Sequence, residues 1–117
     1  MVRVEVNTKE NSMDSIGVGQ EWQDVTSSRK EGVIYENATD RPIQVNISAF
    51  GTYPNTGTVR LMVGPTSPPM VAAVRHVIDN SNSIQVTLLS AIIPPRHFYR
   101  LSDEVASVFI RHWAELC

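Results

Sequence analysis

The chain lacks several features that would identify a class of protein from composition alone. Its one cysteine is Cys117, the last of 117 residues, so no internal disulfide forms and the fold must be stable without covalent cross-links. No apolar run approaches the length of a signal-peptide core or a membrane span, which predicts neither. Ten lysines and arginines against 12 aspartates and glutamates give a net charge of −2. The basic residues are scattered along the sequence, which argues against a nucleic-acid binder.

Sequence patterns typical of catalytic sites are also lacking. Asp24, Thr26, Ser27, Ser28 and Arg29 crowd together, but no histidine lies near them and no Gly-x-Ser-x-Gly motif surrounds either serine. We interpret these side chains as partners for backbone groups where a strand turns, and Arg29 as a partner of Asp24 or of a chain terminus. No catalytic residue is predicted.

The histidines do not form a metal-binding motif. His76, His97 and His112 have none of the spacings found in metal sites, so we expect them to be unrelated, and no metal or cofactor is predicted. A cluster of these histidines around a threefold axis stays open as an alternative.

What the sequence does contain is alternation of apolar and polar residues. This period of two predicts half-buried strands in residues 41–50, 58–63 and 84–89. The side chains predicted to face the core are Ile43, Val45, Ile47, Ala49, Val59, Leu61, Val63, Ile84, Val86 and Leu88. The continuous apolar run of residues 70–78 predicts a strand covered on both sides, and residues 32–37 predict a short fifth strand. Turn-forming segments separate these strands, which indicates an antiparallel sandwich or barrel.

Residues 101–116 fit two structures. As a helix they have Ser102 as N-cap and a stripe of apolar residues from Val105 to Leu116. As a strand they place Val108 and Ile110 opposite Phe109 and Trp113. Periodicity alone favours the helix.

Three residues are the candidates for ligand contact. Tyr53 and Asn55 lie in a proline-containing loop, where they would stack on a sugar ring and bond its hydroxyls. The alternative, which such a loop favours, is a hairpin whose tyrosine packs on the sheet. Arg75 is the third candidate.

Three segments together resemble the C-terminal tip domain of bacteriophage and prophage tail-fibre proteins. That family has G-x-G-Q-x-W-x-D-V-T-x-x-R, then G-x-x-Y-x-N-x-T, then P-I-x-V-x-V. The matching residues here are Gly17, Gly19, Gln20, Trp22, Asp24, Val25, Thr26, Arg29, Gly32, Tyr35, Asn37, Thr39, Pro42, Ile43, Val45 and Ile47. The family also closes on W-x-E-L, matched by Trp113, Glu115 and Leu116, after a proline followed shortly by an aromatic residue. The resemblance spans nearly the whole chain from Gly17 onward.

The resemblance implies an all-β fold, an antiparallel β-sandwich that forms the tip of a trimeric fibre. Residues 17–117 would be this tip domain, and residues 1–16 an N-terminal arm or connection. The closing segment would be a strand beside the first one, so that Trp22 and Trp113 both contribute to the core or to a subunit contact. Asp24, Thr26 and Arg29 would hold strand ends together.

The resemblance also implies a function. The chain would be a receptor-binding module of a phage tail that attaches to a bacterial surface polysaccharide or protein, without catalysis. Its partners would be two further copies of itself and other tail proteins, with no nucleic acid and no membrane insertion. It would be made in the host cytoplasm and reside in the virion. The alternative is a structural tail adaptor or trimerising virion protein that makes no receptor contact.

Overall fold

The computed structural model describes residues 15–51, 57–78, 85–103 and 108–117. Within these ranges it contains eight strands, one short 3₁₀ helix and no α-helix. The elements are β1 (Trp22–Asp24), the 3₁₀ helix (Thr26–Ser28), β2 (Tyr35–Glu36), β3 (Ile43–Gly51), β4 (Gly57–Gly64), β5 (Val71–Ile78), β6 (Gln85–Ile93), β7 (Phe98–Asp103) and β8 (Phe109–Leu116). In this part of the chain no helix is long and apolar enough to cross a membrane.

The strands form two antiparallel sheets of four strands each. The first sheet has the order β1-β8-β3-β6 and the second has the order β2-β7-β4-β5. Buried side chains of both sheets belong to one hydrophobic cluster, so the sheets pack against each other in a sandwich-like arrangement. The all-β, two-sheet prediction is confirmed.

The two central strands follow the predicted alternation. On β3, Ile43, Val45, Ile47 and Ala49 are buried, while the residues between them face outward. On β4, residues 59, 61 and 63 are buried in the same way. Each of these strands pairs with a neighbour on both sides, and successive side chains point to opposite faces of the sheet. The short strand predicted in residues 32–37 is β2.

Two strand predictions are wrong about which surface is covered. On β6 it is Thr87 and Leu89 that are buried, while Val86 and Leu88 point outward, the reverse of the prediction. A period of two makes the faces interchangeable when both carry apolar residues, and pairing of Leu89 with the buried Ile47 decides between them. Ile84 lies outside the described residues.

The other error concerns β5, which is an edge strand instead of one covered on both sides. It pairs with β4 alone among the described strands, and Val71 and Val77 are each 62% exposed. Arg75 and His76 interrupt the apolar residues of this segment and are both exposed, which is consistent with an edge strand.

The C-terminal segment is a strand, as expected from its second interpretation, so the helix that periodicity favours is wrong. β8 lies between β1 and β3, and hydrogen-bonds to both. Its Trp113 is fully buried, and Ser102 lies in β7 instead of capping a helix. Trp22 is 49% exposed and pairs in register with Leu116, so it does not contribute to the core of this chain.

Candidate functional site

Hydrogen bonds join the segment from Asp24 to Thr26 to the last strand, β8. One carboxylate oxygen of Asp24 accepts hydrogen bonds from the Thr26 hydroxyl at 2.7 Å and from the Thr26 backbone N–H at 3.1 Å. These bonds lower the pKa of Asp24. The same hydroxyl oxygen accepts a bond from the backbone N–H of Trp113 at 2.9 Å. The Thr26 hydroxyl group thus connects the Asp24 side chain to the backbone of β8.

Arg29 forms a two-pronged ion pair with Glu115. Its Nε and Nη2 donate to the two carboxylate oxygens, each at 3.0 Å. The Tyr99 hydroxyl and the Trp113 indole N–H also donate to this carboxylate, at 2.8 and 3.0 Å. The Glu115 side chain is 5% exposed and that of Arg29 is 21% exposed. Four donors therefore stabilise one almost completely buried charge.

The partner of Arg29 corrects the sequence interpretation. Arg29 pairs with neither Asp24 nor a chain terminus, because the Asp24 carboxylate bonds to Thr26 and the guanidinium turns inward to Glu115. Sequence reasoning missed this role of Glu115. The signal was available, because alternation puts Glu115 on the same buried face as Trp113, and a buried carboxylate requires a cation.

Aromatic rings surround the ion pair. The Tyr35 ring lies 5.8 Å from the Trp113 ring and 5.9 Å from the Tyr99 ring, between centroids. The Arg29 guanidinium lies 4.5 Å from the centroid of Tyr35, a cation–π contact. Burial, and then the charge of Glu115, raise the pKa of the Tyr99 hydroxyl. The hydrogen bonds to Glu115 raise the pKa of Arg29. Arginine thus stays charged and tyrosine neutral near pH 7, which suits a structural role.

The buried side chain of Asn37 forms a second hydrogen-bond network, which connects three segments of the chain. Its side-chain amide group donates to the carbonyl oxygens of Arg41, Ile93 and Pro94, at 2.7, 3.1 and 3.2 Å. Its oxygen accepts from the hydroxyl and the backbone N–H of Thr39. Asn37 is buried, and this set of bonds uses its whole hydrogen-bonding capacity.

The glycines of the G-x-G-Q motif form a turn that is braced against β3. Gly17 and Gly19 have φ of 97° and 70°, a region that favours glycine. The Gln20 side chain accepts from the Gly17 N–H at 2.6 Å and donates to the carbonyl of Pro42 at 2.9 Å. Pro42 itself directly precedes β3. The motif residues therefore connect segments that are distant in sequence.

A cleft of about 260 Å³ opens beside these networks. Its lining includes Arg29, Asn37, Tyr99, Glu115 and Cys117. The polar atoms of the first four are largely engaged in the bonds described above. Burial and the nearby charge of Glu115 raise the pKa of the Cys117 thiol, which keeps it in the weakly nucleophilic protonated form.

The predicted ligand-contact residues separate into two groups. Tyr53 and Asn55 lie outside the described residues. Arg75 is exposed on β5, and in register it lies directly opposite Arg60 on β4.

The three histidines lie on different segments. His76 is on β5, His112 is on β8, and His97 precedes β7 with its Nδ1 2.9 Å from the carbonyl oxygen of Pro95. In the described part of the chain, no three histidine, cysteine, aspartate or glutamate residues are placed to hold a metal ion.

Comparison of the chain with protein-family models, with curated proteins and with solved structures gives no match.

Proposed function

We propose that this chain is the receptor-binding tip of a phage-like tail, a homotrimeric β-sandwich that attaches to a bacterial surface polysaccharide or protein without catalysis. The motif residues support this proposal through the way they are used. Thr26, Arg29, Asn37 and Trp113 bond to distant parts of the same chain, and Asp24 bonds to Thr26. They build a scaffold, and the loops and outer strand faces are left to meet partners.

The observation that carries the proposal is an apolar surface on the outside of the first sheet. Phe109, Phe50 and Val86 lie side by side across β8, β3 and β6, and the two phenylalanine rings stack at 5.2 Å. Leu88, two residues along β6 from Val86, is 68% exposed. We call these four residues the apolar face. Side chains of this kind in a contiguous patch are typical of a subunit contact, because association removes them from water.

Trp22 extends the argument to the other end of the same sheet. Its register partner is Leu116, and Leu116 lies opposite Gln44, whose other partner is the exposed Ile92. Trp22 was expected to contribute either to the core or to a subunit contact, and its exposure fits the subunit contact. A trimer would present three identical weak sites, and simultaneous engagement of a repetitive surface polymer would raise the overall affinity.

Light scattering of the purified protein tests the assembly. We expect the mass of three chains for the wild type and of one chain for Leu88→Lys, which puts a charge on the apolar face. Val71→Lys, an exposed valine of the second sheet, is the matched control and should stay trimeric. A monomeric wild type would contradict the fibre-tip proposal.

Attachment is tested separately, with a panel of intact bacteria and their purified surface polysaccharides. The trimer should bind at least one of them, and the Leu88→Lys monomer should bind it much more weakly because avidity is lost. A trimer that binds none of them would favour the adaptor alternative.

A further inference from the structure

Three arginines that are far apart in sequence lie next to one another on the outer face of the second sheet. Arg60 on β4 and Arg75 on β5 are direct register partners. On the other side of β4, Ser102 is the partner of Arg60 and Arg100 is the partner of Met62, so Arg100 is a diagonal neighbour of Arg60. Directly opposed side chains in such a pair start about 5 Å apart, and diagonal neighbours about 7–8 Å apart.

The alternation of each strand shows that the three side chains share one face. Arg60 is flanked by the buried Val59 and Leu61, and Arg100 by the buried Tyr99 and Leu101. Both arginines therefore point away from the core, and Arg75 lies on the same side because it is opposite Arg60. We call Arg60, Arg75 and Arg100 the arginine face.

Two of these three side chains, Arg75 and Arg100, have no acidic partner within the described residues. Like charges directly opposite each other destabilise a sheet. Within the described residues, neither Arg75 nor Arg100 forms an ion pair, and the Nε of Arg100 is shielded from solvent without a hydrogen-bond partner. Glu36 is diagonal to Arg100 through its partner Phe98, but within the described residues no ion pair joins Glu36 to Arg100. An external anion would supply the opposite charge that Arg75 and Arg100 lack.

We propose that the arginine face binds the phosphate or carboxylate groups of an acidic surface glycan. This inference rests on the proposed attachment function and names the chemical class of its receptor. Guanidinium groups bind both anions through paired parallel hydrogen bonds. Adjacent strands lie about 4.8 Å apart, so the face spans roughly 10 Å, enough for two or three anionic groups of one glycan segment. The arginine face is compact and the chain has a net charge of −2, whereas a nucleic-acid binder typically has a long basic stripe. A short acidic glycan segment is therefore the better match.

The test uses three dextrans with the same backbone: neutral dextran, carboxymethyl dextran and dextran phosphate. Wild-type protein should bind one or both charged polymers and not the neutral one, and binding should weaken as salt increases. Arg75→Gln and Arg100→Gln should each weaken binding roughly tenfold, and the triple Arg→Gln variant of the arginine face should abolish it. Arg75→Lys should retain part of the affinity, because the charge remains.

The matched control is Lys30→Gln, which removes the same charge from an exposed position outside the second sheet. It should bind as the wild type does. Urea unfolding of each variant checks that the fold is retained. Equal binding by Arg75→Gln and Lys30→Gln, equal binding of neutral dextran, or tighter binding of a DNA duplex of the same charge would each overturn the inference.

The outcome is separable from that of the attachment proposal. If bacteria are bound equally by the wild type and the triple variant, the arginine face is not the receptor site but attachment stands. If charged dextran is bound through the arginine face and no bacterial surface is, the anion site stands and attachment fails.

Discussion

Replacing Arg29 with methionine is expected to lower the free energy of unfolding by about 3 kcal/mol. The reason is that the Glu115 carboxyl group, whose side chain is only 5% exposed, would lose the cation beside it and two of its four hydrogen-bond donors. Removing one partner of a buried ion pair costs about 3–5 kcal/mol. The lower end applies here, because the Arg29 side chain is 21% exposed and water can enter the space it leaves.

The reverse substitution, Glu115→Gln, should cost less, about 1–2 kcal/mol. Glutamine keeps an acceptor for the Tyr99 and Trp113 donors, and the partly exposed Arg29 can be hydrated. The double variant should cost less than the sum of the two single ones by about 1–2 kcal/mol, since neither charge then remains unpaired. Arg29→Lys should fall between wild type and Arg29→Met, because lysine keeps the charge but not the two parallel bonds.

Urea unfolding followed by tryptophan fluorescence measures these differences, since Trp113 donates to the same carboxylate. The measurement is made at two protein concentrations, because association would add to the apparent stability. The reasoning is refuted if Arg29→Met costs less than about 1 kcal/mol, or if the two single effects simply add in the double variant.

Three further predictions concern the neighbouring contacts. Thr26→Val should cost about 1–2 kcal/mol, because the Trp113 N–H loses its acceptor, whereas Thr26→Ser should unfold near the wild-type urea midpoint; equal midpoints for the two variants would contradict this. Asn37→Asp should cost about 3 kcal/mol, since a carboxylate would face three carbonyl oxygens, and an unchanged thermal midpoint would disprove it. Folding raises the pKa of the Tyr99 hydroxyl group, so the protonated hydroxyl contributes to stability. This contribution is complete below about pH 10, the pKa of tyrosine in the unfolded chain. Above that pH it is lost by up to about 1.4 kcal/mol per pH unit. Stability measured against pH should therefore fall less steeply above pH 10 in Tyr99→Phe than in wild type, and identical slopes would count against the buried phenol.

The sequence allowed the fold class to be predicted, together with the faces of the two strands that alternate cleanly. On β3 and β4 only one face carries a full row of apolar residues, so that face must be the one packed in the core. On β6 both faces carry apolar residues, and the prediction chose the wrong one. Local pattern likewise favoured a helix for the segment that became β8, because helical and strand periods overlap in a short apolar stretch.

The candidate sites depended more strongly on tertiary structure. The sequence around Arg29 did not identify its partner, because Glu115 lies 86 residues away, beyond the reach of local reasoning. The arginine face was invisible in the sequence, where its members stand apart as scattered basic residues.

The amino-acid order alone thus determined that this chain forms strands, because alternation acts between near neighbours. Only the tertiary structure decided which charges meet, because strand register joins residues from distant segments. Pairing placed Glu115 in the core beside Arg29 and set Arg60 opposite Arg75 at the surface. The first juxtaposition stabilises the fold, and the second supplies the surface on which we propose that an acidic glycan binds.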